Sequence, residues 1–275
     1  DMTDHIAFIG AGNMAGALIA GLIADGTPPE RLIAADPSVE KCRALGAATG
    51  IRTLQDNREA AAMGDIIVLA VKPQILRQVA RELAEQIQDR RPLVISIAAG
   101  VRCDSLQTWL GGDIALVRTM PNTPAMIQSG ATVLYATALV SDTQRGQAES
   151  LMRSVGLTQW VTDEALMDAV TALSGSGPAY YFLIMEAMET AARELGLSAE
   201  TAHLLTLQTA FGAARMALES SDPPEKLRAR VTSPGGTTER AVRALEEGGI
   251  RDLFRNALEA ARDRSVELSV DMGKA

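Results

Sequence analysis

Two glycine-bearing loops in this chain have the residue types to hold anions. Near the C-terminus, Val231-Thr-Ser-Pro-Gly-Gly-Thr-Thr-Glu-Arg-Ala241 sets the hydroxyls of Ser233, Thr237 and Thr238 around Gly235 and Gly236, just ahead of a helical pattern. Glycines let the backbone turn freely, and the helix starting near Thr237 or Thr238 offers amide donors and a dipole to a negative group. The alternative is a Pro-Gly-Gly linker with a threonine N-cap and no ligand, and spacing alone leaves both readings open. Near the N-terminus, Gly10-x-Gly12-x-x-Ala15 lies between an apolar strand and a helix, the context a dinucleotide fingerprint requires. Gly10 permits the tight turn, Gly12 admits a pyrophosphate close to the backbone, and Ala15 lets the helix pack near the sheet. Asp36 follows the second strand at the distance expected of a ribose ligand, where it would suit NADH and repel the extra phosphate of NADPH; it also reads as a turn-forming Asp before Pro37.

The elements that must position these loops follow from periodicity. His5 to Gly10, Leu32 to Ala35, Ile51 to Leu54, Ile66 to Val71, Leu93 to Ile97 and Ile114 to Val117 are short apolar runs separated by helical segments such as Met14 to Ala24, Val39 to Ala48 and Gln74 to Ile87. Continuous rather than alternating apolar strands suit a parallel sheet covered on both faces, so residues 1–161 read as a doubly wound α/β domain. Ala131 to Tyr135 and Leu157 to Val161 read as late strands toward the edge, and Ser141 with Gln144 as a capping box. From about residue 162 to 275 only helices are expected, in Leu166 to Leu173, Ala179 to Leu195, Ala199 to Glu219, Thr238 to Leu245 and onward from Ile250. Pro178 to Met185 is apolar all round, so that helix is expected to be buried, and the half as a whole to cover a second subunit. In the first half, ligands belong at the carboxyl ends of the strands. Ala70-Val-Lys-Pro73, Ile97-Ala-Ala-Gly100 and Met120-Pro-Asn-Thr-Pro124 lie at such ends, with Lys72 reading as a solvated loop lysine unless an anionic ligand meets it.

Composition narrows the partners. The chain has 275 residues, 47% of them hydrophobic, and a formal charge of −8, which argues against a nucleic-acid backbone or an anionic membrane as partner. Apolar runs are too short to span a bilayer, and no basic region precedes an apolar one at the N-terminus, so no signal peptide is expected; Asp1 ahead of Met2 reads as an addition to a natural start. Two cysteines, Cys42 and Cys103, and two histidines, His5 and His203, give little material for a disulfide framework, a metal site or a Cys-His dyad, and a cytoplasmic setting is expected.

Taken together and in order, Phe8-Ile-Gly-Ala-Gly-Asn-Met-Ala15, Ala70-Val-Lys-Pro73, Met120-Pro-Asn-Thr-Pro124, Leu173-Ser-Gly-Ser-Gly-Pro-Ala-Tyr180 and Ser233-Pro-Gly-Gly-Thr-Thr238 resemble pyrroline-5-carboxylate reductase over nearly the whole chain. The resemblance implies reduction of a cyclic imino acid, 1-pyrroline-5-carboxylate, to L-proline with NADPH or NADH. It implies an N-terminal Rossmann domain, an all-α C-terminal dimerisation and substrate-binding domain, and a homodimer that assembles into larger rings. By position it places Ile9, Gly10, Ala11, Gly12, Asn13, Met14, Asn57, Ala70, Val71, Lys72, Pro73, Ile97, Ala98 and Ala99 at the cofactor, and Glu164, Thr237 and Thr238 at the substrate.

On that resemblance the two loops divide their work, the first holding a pyrophosphate and the second a substrate carboxylate. Hydride transfer to a protonated imine asks little of side chains beyond positioning. Thr238 is the candidate to hydrogen-bond the ring nitrogen or carboxylate, and Glu164 to favour an iminium electrostatically, its alternative being a first-turn helix glutamate. Ser174 to Pro178 reads as mainly architectural. A β-hydroxyacid dehydrogenase would carry a catalytic lysine on an interdomain helix, but residues 165–219 contain no lysine. A binding module that kept the fold without chemistry would not need the Ser233–Thr238 loop.

Overall fold

The computed structural model describes residues 4–274; Asp1 and Met2, read above as an addition and a start, lie outside them. Eight strands form one sheet: β1 (Ile6–Ile9), β2 (Leu32–Ala35), β3 (Arg52–Leu54), β4 (Ile66–Leu69), β5 (Leu93–Ser96), β6 (Leu116–Met120), β7 (Gly130–Ala136) and β8 (Gly156–Trp160), in the order β3-β2-β1-β4-β5-β6-β7-β8. Strands β1 to β6 are parallel, with Ile6 opposite both Leu32 and Ile66. Strand β7 then pairs antiparallel with β6, Thr119 opposite Leu134, and β8 runs parallel to β7 at the edge. The doubly wound parallel sheet expected from the apolar runs is therefore present and is extended by two strands running the other way.

Helices α1 (Asn13–Ala24), α2 (Val39–Thr49), α3 (Asn57–Met63), α4 (Pro73–Arg90), α5 (Cys103–Trp109) and α6 (Asp142–Arg153) cover the sheet. Residues alternate sides along each strand, so Ile6, Phe8 and Val68 pack with Leu18 and Leu22 of α1 and Leu151 of α6. Ala7, Ile9 and Leu69 face the other way, against Leu76, Leu83 and Ile87 of α4 and Leu106 of α5. Both faces are dry, which is why these strands carry no polar alternation. Ser141 and Gln144 form the reciprocal capping box that starts α6.

Helix α7 (Leu166–Val170) runs into a π turn at Thr171–Gly175, closed by the Ser176 amide donating to the Thr171 carbonyl at 2.8 Å. Then come α8 (Gly177–Glu194), α9 (Ala199–Glu219), α10 (Pro224–Arg230), α11 (Thr237–Glu247) and α12 (Ile250–Lys274). The chain divides into two compact units, Asp1–Ser176 with Ala261–Ala275, and Gly177–Ala260. The strands stop near residue 161, but compactness follows contacts: α7, the π turn and the end of α12 group with the sheet. Ser265 of α12 donates to the Asp168 carboxylate at 2.7 Å, and Met272 packs against the core on the α4 side.

The second unit is helical, with α8 and α9 packed together. The expectation that α8 is buried fails within one chain, because Tyr181, Phe182 and Leu183 are each about two-thirds exposed, at 66%, 63% and 64%. The apolar character read from the sequence is present, but among the described residues much of that face is left uncovered. Among the described residues no helix is long and apolar enough to cross a membrane.

Candidate active site

In the first unit, the residues expected at a cofactor gather at the carboxyl edge of the parallel strands. Gly10 follows β1 with φ +109, and a Cβ there would sit 2.5 Å from the Ala70 carbonyl oxygen, so only glycine lets the β1 and β4 ends close up. The Gly10 amide donates to the Ala35 carbonyl at 2.7 Å, and that of Ala70 to Ile9 at 2.8 Å. These bonds tie three strand ends together at the point where strand order reverses, where open α/β sheets bind ligands. Gly12 is the N-cap of α1, with no side-chain cap, and a Cβ added to it meets no heavy atom within 4 Å. That open face over uncapped helix amides fits a dinucleotide pyrophosphate. Asn13 is exposed and Met14 half-buried on the same turn.

The neighbouring strand ends supply the rest. Asn57 opens α3, and its side-chain Oδ1 is buried with no hydrogen-bond partner, an acceptor that a ligand's hydroxyl or amine would satisfy. Val71, Lys72 and Pro73 lead from β4 into α4, with Lys72 exposed at the N-cap and Pro73 in the first turn, where its missing N–H costs nothing. Ile97, Ala98 and Ala99 follow β5, with the Ala98 amide on the Ser96 hydroxyl at 3.3 Å. A cavity of ≈ 710 Å3 beside these ends is lined by Pro37, Asp56, Asn57, Arg58, Ile75 and Glu82 among others.

Asp36 does two things at once. Its Oδ2 accepts from the Ala11 amide of the glycine turn at 3.1 Å, and its Oδ1 accepts from the Ser38 amide at 2.9 Å, the Asx turn expected of an Asp before proline. Cys42 adds a thiol contact to the Asp36 carbonyl at 3.2 Å. The carboxylate is thus fixed at 8% exposure against the loop that would cradle the pyrophosphate.

Glu164 is not a free carboxylate. Its Oε1 pairs with the Arg118 guanidinium at 2.9 Å and accepts the Cys103 amide at 2.7 Å, capping α5 from a distant part of the chain. Arg118 is buried and Glu164 partly so, with side chains 4% and 14% exposed, so Arg118 offsets much of the charge that an iminium would feel. Burial and then the Glu164 carboxylate push the Cys103 thiol far above its ordinary range. The Met120–Pro124 turn has an equally definite task. Asn122 accepts the Ala131 amide at 2.9 Å and donates to the Ser174 carbonyl at 3.1 Å, fastening the π turn to the end of β6. Arg118 was not singled out from the sequence, and Asn122 and the π turn entered only inside longer motifs without these roles, because the roles lie in long-range pairing that no local spacing displays.

In the second unit, the Ser233–Thr238 loop leads into α11. Gly235 takes φ +73, whereas Gly236 has φ −83 and serves as N-cap without a side-chain cap. The Gly236 amide donates to Ser233 at 3.0 Å, and the Gly235 amide is held by the Glu239 carboxylate. The amides of Thr237, Thr238 and Glu239 head the helix, where no intrahelical acceptor exists. Ser233, Gly235 and Thr237 are exposed and Gly236 and Thr238 half-buried, so the turn presents donors to a negative group. Among the described residues no cluster of His, Cys, Asp and Glu is placed to hold a metal.

A doubly wound sheet with an open glycine turn at its switch point, followed by a separate helical unit, defines a dinucleotide-binding oxidoreductase. Residues 5–100 match the family model described as NADP oxidoreductase coenzyme F420-dependent, and residues 164–268 the model for pyrroline-5-carboxylate reductase dimerisation. The pyrroline-5-carboxylate reductase of Pseudomonas aeruginosa is 50% identical over 272 residues, covering 99% of each chain. A solved pyrroline-5-carboxylate reductase from Coxiella burnetii superposes at TM-score 0.94 with 49% identity, over 98% of this chain and 99% of that one. The Plasmodium falciparum pyrroline carboxylate reductase, solved with NADP bound, gives 0.86 with 31% identity, over 97% and 98%. The chain belongs to the pyrroline-5-carboxylate reductase family.

Proposed function

We propose that this chain reduces 1-pyrroline-5-carboxylate to L-proline with NADPH or NADH, the last step of proline biosynthesis. The observation that carries the reading is that family identity extends over 99% of the chain, and the helix starts at Gly12 and Gly236, which carry no side-chain cap, support two anion sites within it. When bound, the reduced nicotinamide supplies the hydride. Residues Ile9 to Met14 hold the pyrophosphate on the α1 amides, with Asp36, Asn57, Ala70 to Pro73 and Ile97 to Ala99 along the same sheet edge. Ser233, Gly235, Gly236, Thr237 and Thr238 hold the substrate carboxylate, and the Thr238 hydroxyl hydrogen-bonds the carboxylate or ring nitrogen. Glu164 meets the protonated nitrogen through Oε2, since its contacts with Arg118 and Cys103 fall on Oε1. A protonated nitrogen leaves the adjacent ring carbon electrophilic, and positioning supplies much of the remaining rate.

The helical residues from 162 onward form the dimerisation and substrate-binding domain, residues 1–161 the cofactor domain, and dimers assemble into a larger ring. The exposed apolar side chains of α8 support the first of these. Two free, buried cysteines support a cytoplasmic setting, and the charge of −8 speaks against nucleic acid as partner. The deciding experiment follows NAD(P)H oxidation on adding the imino acid and identifies proline in the product. Folded protein that binds a dinucleotide yet turns over with neither cofactor would refute the reading.

A further inference from the structure

Among the described residues Arg118 is the one buried lysine or arginine, at 3% exposure. Taking a cation and its carboxylate partner out of water gives little net stability over apolar residues of the same size, so such a pair calls for another reason. Its partner supplies one. Both contacts to the Glu164 carboxylate, from the Arg118 guanidinium at 2.9 Å and the Cys103 amide at 2.7 Å, fall on Oε1. Arg118 comes from β6 and Cys103 opens α5, so two elements grip one oxygen and fix the direction in which the other points. Burial is the first cause that pushes up both the Cys103 thiol and the phenol of Tyr135, which stands opposite Arg118 on β7, so neither adds a charge at neutral pH. All of these groups belong to the first unit.

We infer that Arg118 is a positioning residue for the reduction: it makes Glu164 a fixed dipole that orients the protonated imine without holding its charge too tightly for hydride transfer. The inference rests on the reading that Glu164 meets that nitrogen. In the reaction the imine carbon gains a hydride, a hydrogen with its electron pair, from the reduced nicotinamide, leaving it oxidised. The π pair of the C=N bond settles on nitrogen and cancels its positive charge. A bare carboxylate beside that nitrogen stabilises the charged ground state more than a transition state in which the charge is already fading, and so raises the barrier. With a guanidinium on Oε1, the pull at Oε2 is weakened while its direction is kept, which is the preorganised arrangement the step requires.

The test compares the parent with Arg118→Gln and Arg118→Met, which remove the charge while the Cys103 amide still holds Oε1. Two dissociation constants are measured with oxidised dinucleotide present, so that no turnover occurs. One is for 1-pyrroline-5-carboxylate and the other for cyclopentanecarboxylate, whose ring carries no charge. The ratio of the two is expected to shift toward the imino acid by about five- to tenfold, while kcat falls by a similar factor. Arg118→Lys keeps the charge and should restore the ratio. A variant that misfolds is measured in an osmolyte that favours the folded state. Failure of both charge-free variants to fold even then would make the pair structural and overturn the inference. So would an unmoved ratio, a ratio that Arg118→Lys does not restore, or an equal weakening of both ligands. Glu164→Gln tests the layer beneath: if it binds the imino acid as tightly as the parent, Glu164 does not meet the nitrogen and that reading falls. Weaker binding by Glu164→Gln, with a ratio that Arg118→Gln leaves unmoved, would sink the inference alone.

Discussion

At the scale of single residues, Thr238 and Cys103 give the sharpest expectations. Thr238 sits half-buried in the first turn of α11, so its hydroxyl can be removed without opening a core. A lost hydrogen bond to a charged group costs about 1.5–3 kcal/mol, so Thr238→Ala should lower kcat/KM for the imino acid by about ten- to one-hundred-fold. Cofactor affinity and thermal midpoint should stay near the parent's. An unchanged kcat/KM would mean the loop is only a linker. Cys103 provides a pH test. Burial keeps its thiol protonated in the fold, while the unfolded chain ionises near a pKa of about 8.5, so the unfolded state sheds its proton first. Stability should therefore fall as pH rises above that value, by up to about 1.4 kcal/mol per unit, and Cys103→Ala should flatten the slope in urea unfolding between pH 7 and 10. Some of this was legible in the residues and some was not. Asp36 before Pro37 announced the turn that its Oδ1 makes with the Ser38 amide, but nothing local announced the bond from the Ala11 amide to its Oδ2. The pair Gly235-Gly236 announced a turn, yet nothing in two identical side chains says that Gly235 takes the positive φ.

At the scale of elements, the Glu164–Arg118 pair joins the segment before α7, strand β6 and the start of α5. Removing buried Arg118 strands the partly buried Glu164 carboxylate, so Arg118→Leu should cost a few kcal/mol, up to about 3, in denaturant unfolding. The double variant Arg118→Leu with Glu164→Leu should recover much of that loss, because no charge is left behind. A double variant no more stable than the single would show that the capped α5 amide, not the charge pair, dominates. The elements best read from sequence were those whose own composition decides them. Leu32–Ala35 and Ala199–Glu219 stand where the apolar runs put them. Strand β7 reverses direction, and a strand's direction is set by its partner, so no pattern within Gly130–Ala136 reveals it. The π turn is hidden for the same reason. Thr171 to Gly175 suit an ordinary helix end, and it is Asn122, dozens of residues earlier, that holds the wider turn.

At the scale of the molecule, the apolar faces of α8 and α9 set the assembly. Large exposed apolar patches of this kind mark interaction surfaces. Phe182, Phe211 and Leu205 are all more than half exposed in one chain, at 63%, 61% and 55%. Light scattering at micromolar concentration should therefore give at least a dimer, and Phe182→Asp should shift it toward a monomer; a monodisperse wild-type monomer would contradict the dimer. The division into compact units bears on how the protein can be taken apart. The chain leaves the first unit at Ser176 and rejoins it at Ala261, so the second unit is topologically a guest inserted into its host. Cutting the gene at a single point, near either 161 or 176, cannot release an intact host, because its last helical stretch would travel with the other fragment. A protease nick in the exposed loop around Ser233, by contrast, would leave each fragment anchored in the host and the pieces associated on a native gel. Removing the last turns of α12, far from any glycine loop, should therefore destabilise the nucleotide half with which they group.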